Sequence, residues 1–181
     1  MKKITAILTV FLFTQQVFSQ DDKKIYQQAF EKINCMLDET CQPSFKEAVF
    51  IVENAYFSNQ LDRNYFDEQI HTLTVLSKGL VRSRELIYDL PDKEEVAKYA
   101  ALFSVITDTI PVQVGKEQII EIPPYTYDFD DIWGHLDWSN MFVTKLLETK
   151  KGNCHSLPYL YKILADEIGV KAHIAVAPNH F

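Results

Sequence analysis

The sequence lacks any excess of positive charge. Its 18 Lys and Arg residues stand against 25 Asp and Glu residues, which gives a formal net charge of −7. An acidic chain repels both the phosphate backbone of nucleic acids and the headgroups of anionic lipids. The composition therefore argues against a nucleic-acid-binding protein and against a protein held to a membrane surface by charge.

Long hydrophobic runs are absent after the first twenty residues, so no membrane span is expected there. At the start, Lys2 and Lys3 precede the apolar run Ile4–Phe13, and Ser19 offers a small residue before a cleavage point. This order is typical of a secretory signal peptide, and the run is too short to span a bilayer. The alternative is a buried N-terminal helix. We assign residues 1–20 to a signal peptide and expect a soluble exported protein, located in the periplasm, at the cell surface or outside the cell.

Cysteine is scarce, with three residues in the chain. Cys35 and Cys41 lie six residues apart, and Cys154 is distant. Because exported proteins fold under oxidising conditions, this pattern predicts a Cys35–Cys41 disulfide and a free Cys154. Six residues on one continuous helix would hold the two sulfurs about a turn and a half apart, so the bridge requires a helix break. The stretch "DETCQP" supplies that break; the alternative is two separate thiols.

Apolar periodicity predicts a helical region over residues 21–108, without a repeat period of about 34 residues. Ser44 and Glu47 form a capping-box pattern before the first helix of this region. A second helix is predicted over roughly residues 64 to 78, with Gly79 as its stop, and a third begins at Asp92. The residues predicted to share buried faces are Phe45, Val49, Val52 and Tyr56 in the first helix and Val96, Tyr99, Phe103 and Ile106 in the third.

From residue 109 onward the chain becomes rich in β-forming residues, which predicts an α+β protein. Two short β-type runs flank Gly115 and indicate either a hairpin or an extended arm. A segment dense in acids and aromatics follows, in which Trp133, Trp138 and Asn140 are candidates to line a cleft or stabilise an oxyanion. For the tryptophans, plain packing is the favoured alternative. The next helix, "MFVTKLLETKK", is predicted to end at Gly152 with two lysines in its last turn.

The last part of the sequence places a cysteine at a predicted helix start. Gly152 ends one element, and Asn153 or Cys154 caps the next helix, which Gly169 terminates. The partial positive charge at a helix N-terminus favours the thiolate, which is the nucleophilic form of cysteine. A predicted strand, "VKAHIAVAP", then leads to His180. A cysteine on a helix start and a histidine after a neighbouring strand suit a nucleophile and its base, whereas the alternative is a buried cysteine and a surface histidine.

The stretch "GNCHSLPYLYKILADEIGVKAHIAVAPNHF" resembles the core of the transglutaminase-like superfamily, and "FVTKLLETKKGNC" is a weaker extension of the match upstream, so that it covers about residues 140–181. "LLETKKG", "SLPYLY" and the final "HF" also resemble bacterial transglutaminase-like proteins that carry tetratricopeptide repeats. The resemblance implies an incomplete papain-like core over residues 109–181, with Cys154 as nucleophile and His180 as base. It implies an amide or peptide hydrolase, or an acyl transferase, that acts on a protein or peptide and requires no cofactor.

The resemblance also implies an Asp or Asn that orients the histidine, which would follow Phe181. We therefore expect a truncated chain. The alternative is that an upstream acid takes this role, for which the candidates are Asp128, Asp130, Asp131 and Asp137, although most of them are expected to be solvated loop acids.

Two other functions stay open at this point. One is a non-catalytic transglutaminase-like module that binds proteins. The other is a zinc site built from Cys154, His155, His173 and His180, although the sequence lacks paired-ligand spacing such as CxxC or HExxH. His155 is expected to face solvent or a groove wall, and His173 to lie within the predicted strand.

Overall fold

The structure is a computed structural model that describes residues 21–175. The predicted signal peptide, residues 1–20, and His180 therefore lie outside the described residues. Helices and short strands are both present, so the predicted α+β class is confirmed. No helix within residues 21–175 combines the length and the apolar character needed to cross a membrane.

The elements follow one another in the order of this description. The helices are α1 (21–37), α2 (Phe45–Tyr56), α3 (Arg63–Ser83), α4 (Lys93–Thr107), α5 (Val143–Thr149) and α6 (Ser156–Ile168), with a 3₁₀ turn, η1, at Trp138–Met141. The strands are β1 (Ile110–Val114), β2 (Gln118–Ile122), β3 (Thr126–Tyr127) and β4 (Lys151–Gly152). Along the sequence the chain divides into two compact units, of which the first ends at Leu61 and the second begins at Asp62. The predicted boundary after residue 108 stays a prediction.

A disulfide closes the turn after α1. The helix ends at residue 37, and the Cys41 N–H donates a 2.9 Å hydrogen bond to the Cys35 carbonyl oxygen. This turn brings the two Cα atoms to 5.2 Å, and the Cys35–Cys41 bridge is formed. The predicted disulfide and the helix break on which it depends are both confirmed.

Helix α2 begins as its capping signal predicts, but its buried face was only partly predicted. The Ser44 hydroxyl accepts a 3.2 Å hydrogen bond from the Glu47 N–H. Phe50 and Ile51 are buried, whereas Val52 and Tyr56 are exposed, so the prediction for the last two was wrong. Apolar residues occupy most of this helix's circumference, and periodicity alone does not tell which apolar side meets solvent.

Helix α3 continues through Gly79 to Ser83, and the predicted stop was wrong. An interior glycine costs a helix only about 1 kcal/mol relative to alanine. Continuing the helix buries Leu80, which offsets a cost of that size. The Asp62 carboxylate accepts hydrogen bonds from the next backbone N–H groups and fixes the start of the helix.

Helix α4 begins directly after Asp92, as predicted. Leu102 and Ile106 are buried, but Phe103 is exposed, so its assignment to the core was wrong. The core of the unit that begins at Asp62 is apolar and comes from α3, α4, α5 and α6. Its largest fully buried apolar side chains are Phe66, Ile70, Leu102, Val143, Leu146, Leu147, Leu160, Ile163 and Leu164.

Strands β1 and β2 form the hairpin that the sequence left as one of two possibilities. They pair antiparallel, with Ile110 opposite Ile122 and Val114 opposite Gln118. Gly115 follows β1 with a φ of 68°, in the left-handed region that glycine enters without strain. The turn chemistry around this glycine therefore explains the hairpin.

Helix α5 ends at Thr149, earlier than the predicted end at Gly152. Lys150 takes a left-handed conformation, after which β4 pairs in parallel with β3. The N–H groups of Thr126 and Asp128 donate to the carbonyl oxygens of Lys150 (2.8 Å) and Gly152 (2.6 Å). The carbonyl oxygens of Lys150 and Gly152 thus bond to β3 instead of continuing the helix. Lys150 and Lys151 therefore lie beyond α5 rather than in its last turn.

The described part of the predicted strand "VKAHIAVAP" is not a strand. Residues 170–175 form no ladder with any part of the described chain, and residues 176–178 lie outside it. The Lys171 carbonyl oxygen instead accepts a 2.8 Å hydrogen bond from the Tyr99 hydroxyl. β-rich composition produces a strand only where a partner backbone is adjacent.

Candidate active site

A reciprocal cap fixes the start of α6. The Asn153 Oδ1 accepts hydrogen bonds from the N–H groups of His155 (3.0 Å) and Ser156 (3.3 Å). In return, the Ser156 Oγ accepts from the Asn153 N–H at 3.1 Å. The Leu157 N–H reaches the Asn153 carbonyl oxygen at 3.2 Å and begins the helical bonding. Asn153 is thus the capping residue, and Cys154 is the first residue of the turn that leads into α6.

Gly152 is required by this cap for steric reasons. A Cβ atom at this position would lie 2.5 Å from the Ser156 Oγ and 2.7 Å from the Leu146 Cδ1. Real Cβ atoms do not approach other atoms so closely, so any side chain here would displace the capping serine or a core leucine. The Gly-Asn-Cys-His-Ser order is therefore one structural unit.

Cys154 is a free, buried thiol with 7% of its surface exposed. The register of β3 and β4 places Tyr127 opposite Gly152 and so brings the tyrosine to the cysteine. Burial is the largest cause that raises the pKa of Tyr127; the neighbouring Cys154 side chain raises it further, against a smaller lowering by a hydrogen bond from the Cys154 backbone. The Tyr127 hydroxyl and the Cys154 side chain therefore interact directly. Sequence reasoning missed this residue.

His155 lies against the segment that precedes α5. Its Nδ1 is 2.9 Å from the Met141 carbonyl oxygen, and its ring centroid is 4.1 Å from that of Tyr159. Because a carbonyl oxygen only accepts hydrogen bonds, this contact requires the proton on Nδ1. The half-buried imidazole is thus fixed in position by Met141 and Tyr159.

Two of the four candidate orienting acids are buried, contrary to the expectation of solvated loop acids. The Asp131 carboxylate accepts from the Leu136 N–H (3.2 Å), the Asp137 N–H (3.0 Å) and the Asn140 side chain (2.8 Å). Burial raises the pKa of Asp131, but these hydrogen bonds outweigh it and hold that pKa below its usual value. They also explain why a carboxylate is tolerated inside the loop.

Asp128 is the second buried acid. It pairs with the Lys151 ammonium at 3.0 Å, and the hydrogen bond from Lys151 is the main reason that the pKa of Asp128 is lowered. Asp130 and Asp137 are the exposed loop acids that the sequence led us to expect. Which acid, if any, orients His180 stays a prediction, since that histidine lies outside the described residues.

The loop between β3 and α5 is bonded to the start of α6. The Ser156 hydroxyl donates to the Asn140 carbonyl oxygen at 3.1 Å, and the Asn153 side-chain amide reaches the Ile132 carbonyl oxygen at 3.4 Å. Trp133 and Trp138 of this loop are about half exposed, so plain packing, the favoured alternative, accounts for only part of each ring. The polar network of Asp131 occupies the inside of the loop, which leaves the large rings outside.

No group of three or more His, Cys, Asp and Glu side chains within residues 21–175 is arranged to hold a metal ion. Among the four residues of the zinc hypothesis, His173 is exposed. His180 lies outside that range, so the hypothesis as a whole is not tested.

Comparison with known proteins provides no relative from which to transfer a function. No family model matches the chain, and neither does any curated protein or solved structure. The transglutaminase-like resemblance therefore stays a prediction. The functional argument rests on the geometry around Cys154.

Proposed function

We propose that this protein is an exported, transglutaminase-like enzyme that transfers or hydrolyses acyl groups, with Cys154 as nucleophile and His180 as base. The observation that carries the proposal is the setting of Cys154. It is a free thiol at a capped helix start, with the hydroxyl of Tyr127 beside it. A thiol so placed has the helix dipole and a hydrogen-bond donor available to stabilise its anion.

The proposed reaction begins when His180 removes the thiol proton of Cys154. The sulfur attacks the carbonyl carbon of an amide, and the carbonyl electron pair moves to the oxygen. We propose that the Tyr127 hydroxyl, which interacts with the Cys154 side chain, donates a hydrogen bond to that developing charge. His180 then protonates the leaving amine as the C–N bond breaks, which leaves a thioester. Water deprotonated by His180 releases a carboxylic acid and restores the thiol, or an amine in place of water forms a new amide.

The test uses benzyloxycarbonyl-glutaminyl-glycine as acyl donor and hydroxylamine as acceptor, with hydroxamate formation as the readout. We expect turnover by the chain and none by Cys154→Ala. We expect His180→Ala to lower the rate by about 10²- to 10⁴-fold, the usual contribution of a general acid–base group. His173→Ala is the matched control, because His173 is an exposed histidine of the same segment. Full activity in Cys154→Ala would refute the proposal.

A second function, a non-catalytic module that binds proteins, is favoured by the low exposure of Cys154. A thiol that is 7% exposed must be uncovered before any substrate carbonyl reaches it. This function predicts that the folded protein, with Cys154 fully reduced, neither forms hydroxamate nor hydrolyses the substrate. Trapping of a thioester on Cys154, detected by intact mass, would exclude it.

A further inference from the structure

The loop between β3 and α5 exposes four large apolar side chains within ten residues. Phe129, Trp133, Leu136 and Trp138 are 77%, 51%, 83% and 55% exposed, respectively, and we name this set the aromatic lip. Single exposed apolar residues are ordinary on protein surfaces, whereas clusters of large ones mark binding sites. Tryptophan in particular is enriched among the residues that dominate binding energy.

The aromatic lip is connected to Cys154 through Tyr127 and Asn153. The Phe129 ring centroid lies 4.8 Å from that of Tyr127, whose hydroxyl is at the Cys154 side chain. Farther along the loop, Ile132, next to Trp133, accepts from the amide of the capping residue Asn153. The lip is therefore continuous with the site.

The loop is also held in shape before any ligand binds. Asp131 ties together the backbone at Leu136 and Asp137 and the side chain of Asn140. Met141 and Asn140 are in turn hydrogen-bonded to His155 and Ser156 at the start of α6. A surface with its backbone fixed in this way loses little entropy when it binds.

Two lysines partly neutralise the four aspartates of the loop. Lys151 pairs with Asp128 and Asp130, and Lys145 pairs with Asp137. Asp131 is buried and fully engaged in hydrogen bonds. The four side chains of the lip are themselves uncharged and present apolar area, so they select a ligand by shape and hydrophobicity.

We infer that the aromatic lip binds apolar and aromatic side chains that flank the reacting amide of a peptide acyl donor. This inference rests on the proposed function, because the amide at Cys154 is what makes the ligand a peptide. A carbohydrate, which also stacks on tryptophan rings, is the rival that the experiment must exclude.

The experiment titrates Cys154→Ala chain, which cannot turn over, with two decapeptides that each contain one glutamine. One carries Phe and Leu on both sides of the glutamine, and the other carries Ser at those positions. Calorimetry is expected to show at least about tenfold tighter binding of the apolar peptide. Adding Trp133→Ala or Trp138→Ala to this background is expected to weaken that binding at least about fivefold, as truncation of a binding hot spot does. Ile87→Ala, which removes an exposed apolar side chain outside the loop, should change nothing.

Equal affinity for the two peptides would overturn the inference, and so would Trp-dependent binding of chitohexaose that is tighter than binding of the apolar peptide. Hydroxamate formation by the unmodified chain is measured with the same peptides. Turnover without a preference for the apolar peptide would overturn the inference alone. A tryptophan-dependent preference without turnover would support the recognition surface and contradict the proposed catalysis.

Discussion

Replacement of Gly152 by alanine tests whether the start of α6 depends on the absence of a side chain. The added Cβ would lie 2.5 Å from the Ser156 Oγ and 2.7 Å from the Leu146 Cδ1. Gly152 lies in β4 and does not have a positive φ, so alanine is compatible with its backbone conformation. The expected damage is therefore steric rather than conformational.

The magnitude follows from the contacts that must yield. Displacing the Ser156 hydroxyl breaks its hydrogen bonds to Asn153 and Asn140, at about 1 kcal/mol each. Overpacking against Leu146 adds about 1–3 kcal/mol. Alanine also lowers the conformational entropy of the unfolded chain, which offsets about 0.4–1 kcal/mol of this loss. We expect Gly152→Ala to lower the free energy of unfolding by about 3 kcal/mol.

Urea unfolding followed by tryptophan fluorescence measures this loss, because both tryptophans lie in the unit that contains Gly152. For a slope of about 2 kcal/mol per molar urea, the midpoint should fall by about 1.5 M. Gly79→Ala is the matched control. A Cβ at Gly79 meets no atom within 4 Å, so this helical substitution should stabilise by about 0.5–1 kcal/mol. If the free energy of unfolding of Gly152→Ala lies within about 0.5 kcal/mol of the wild-type value, the steric argument is refuted.

Three further predictions concern stability. Asn153→Ala removes the side-chain cap of α6 and should cost about 1 kcal/mol in the same urea assay. The hydrogen bond from Lys145, with smaller contributions from Ser139, lowers the pKa of Asp137 to about 2. The ionised Asp137 therefore stabilises the fold fully above about pH 4, and this stabilisation is lost as the pH falls toward 2. Asp137→Asn should therefore flatten the acid-side fall in unfolding free energy, measured by urea titrations at a series of pH values; an unchanged slope would contradict this. Replacing both Cys35 and Cys41 by serine removes a disulfide that closes a loop of six residues, and it should lower the free energy of unfolding by about 2 kcal/mol, measured by circular dichroism melts. An unchanged free energy of unfolding would indicate that the turn is stable without the bridge.

Features set by neighbouring residues could be predicted from the sequence. The starts of α2 and α4 follow from Ser44 and Asp92, because capping depends on the residues that immediately follow. The disulfide follows from spacing and compartment. The end of α3 could not be predicted in this way, because the burial of Leu80 carries the helix past Gly79, and burial is a tertiary property.

In the candidate site, too, the features set by neighbouring residues could be predicted, and those set by distant segments could not. The position of Cys154 at a helix start follows from the local order of glycine, asparagine and cysteine. Tyr127 could not be found, because a two-residue parallel bridge between distant segments leaves no periodic pattern. The burial of Asp131 was missed for a related reason, since a loop that folds around a carboxylate has the composition of a solvated loop.

The short β3–β4 ladder also determines when the thiol is covered. The ladder itself contains only two hydrogen bonds, donated by the N–H groups of Thr126 and Asp128, at about 1 kcal/mol each. Helix α6, in contrast, has a continuous run of backbone hydrogen bonds and a fully buried apolar face, so the ladder is expected to open more readily than the helix. Hydrogen exchange at these two amides should therefore be faster than in α6. The rate at which an alkylating reagent or a substrate reacts with Cys154 would then follow local opening of the β3–β4 ladder rather than global unfolding.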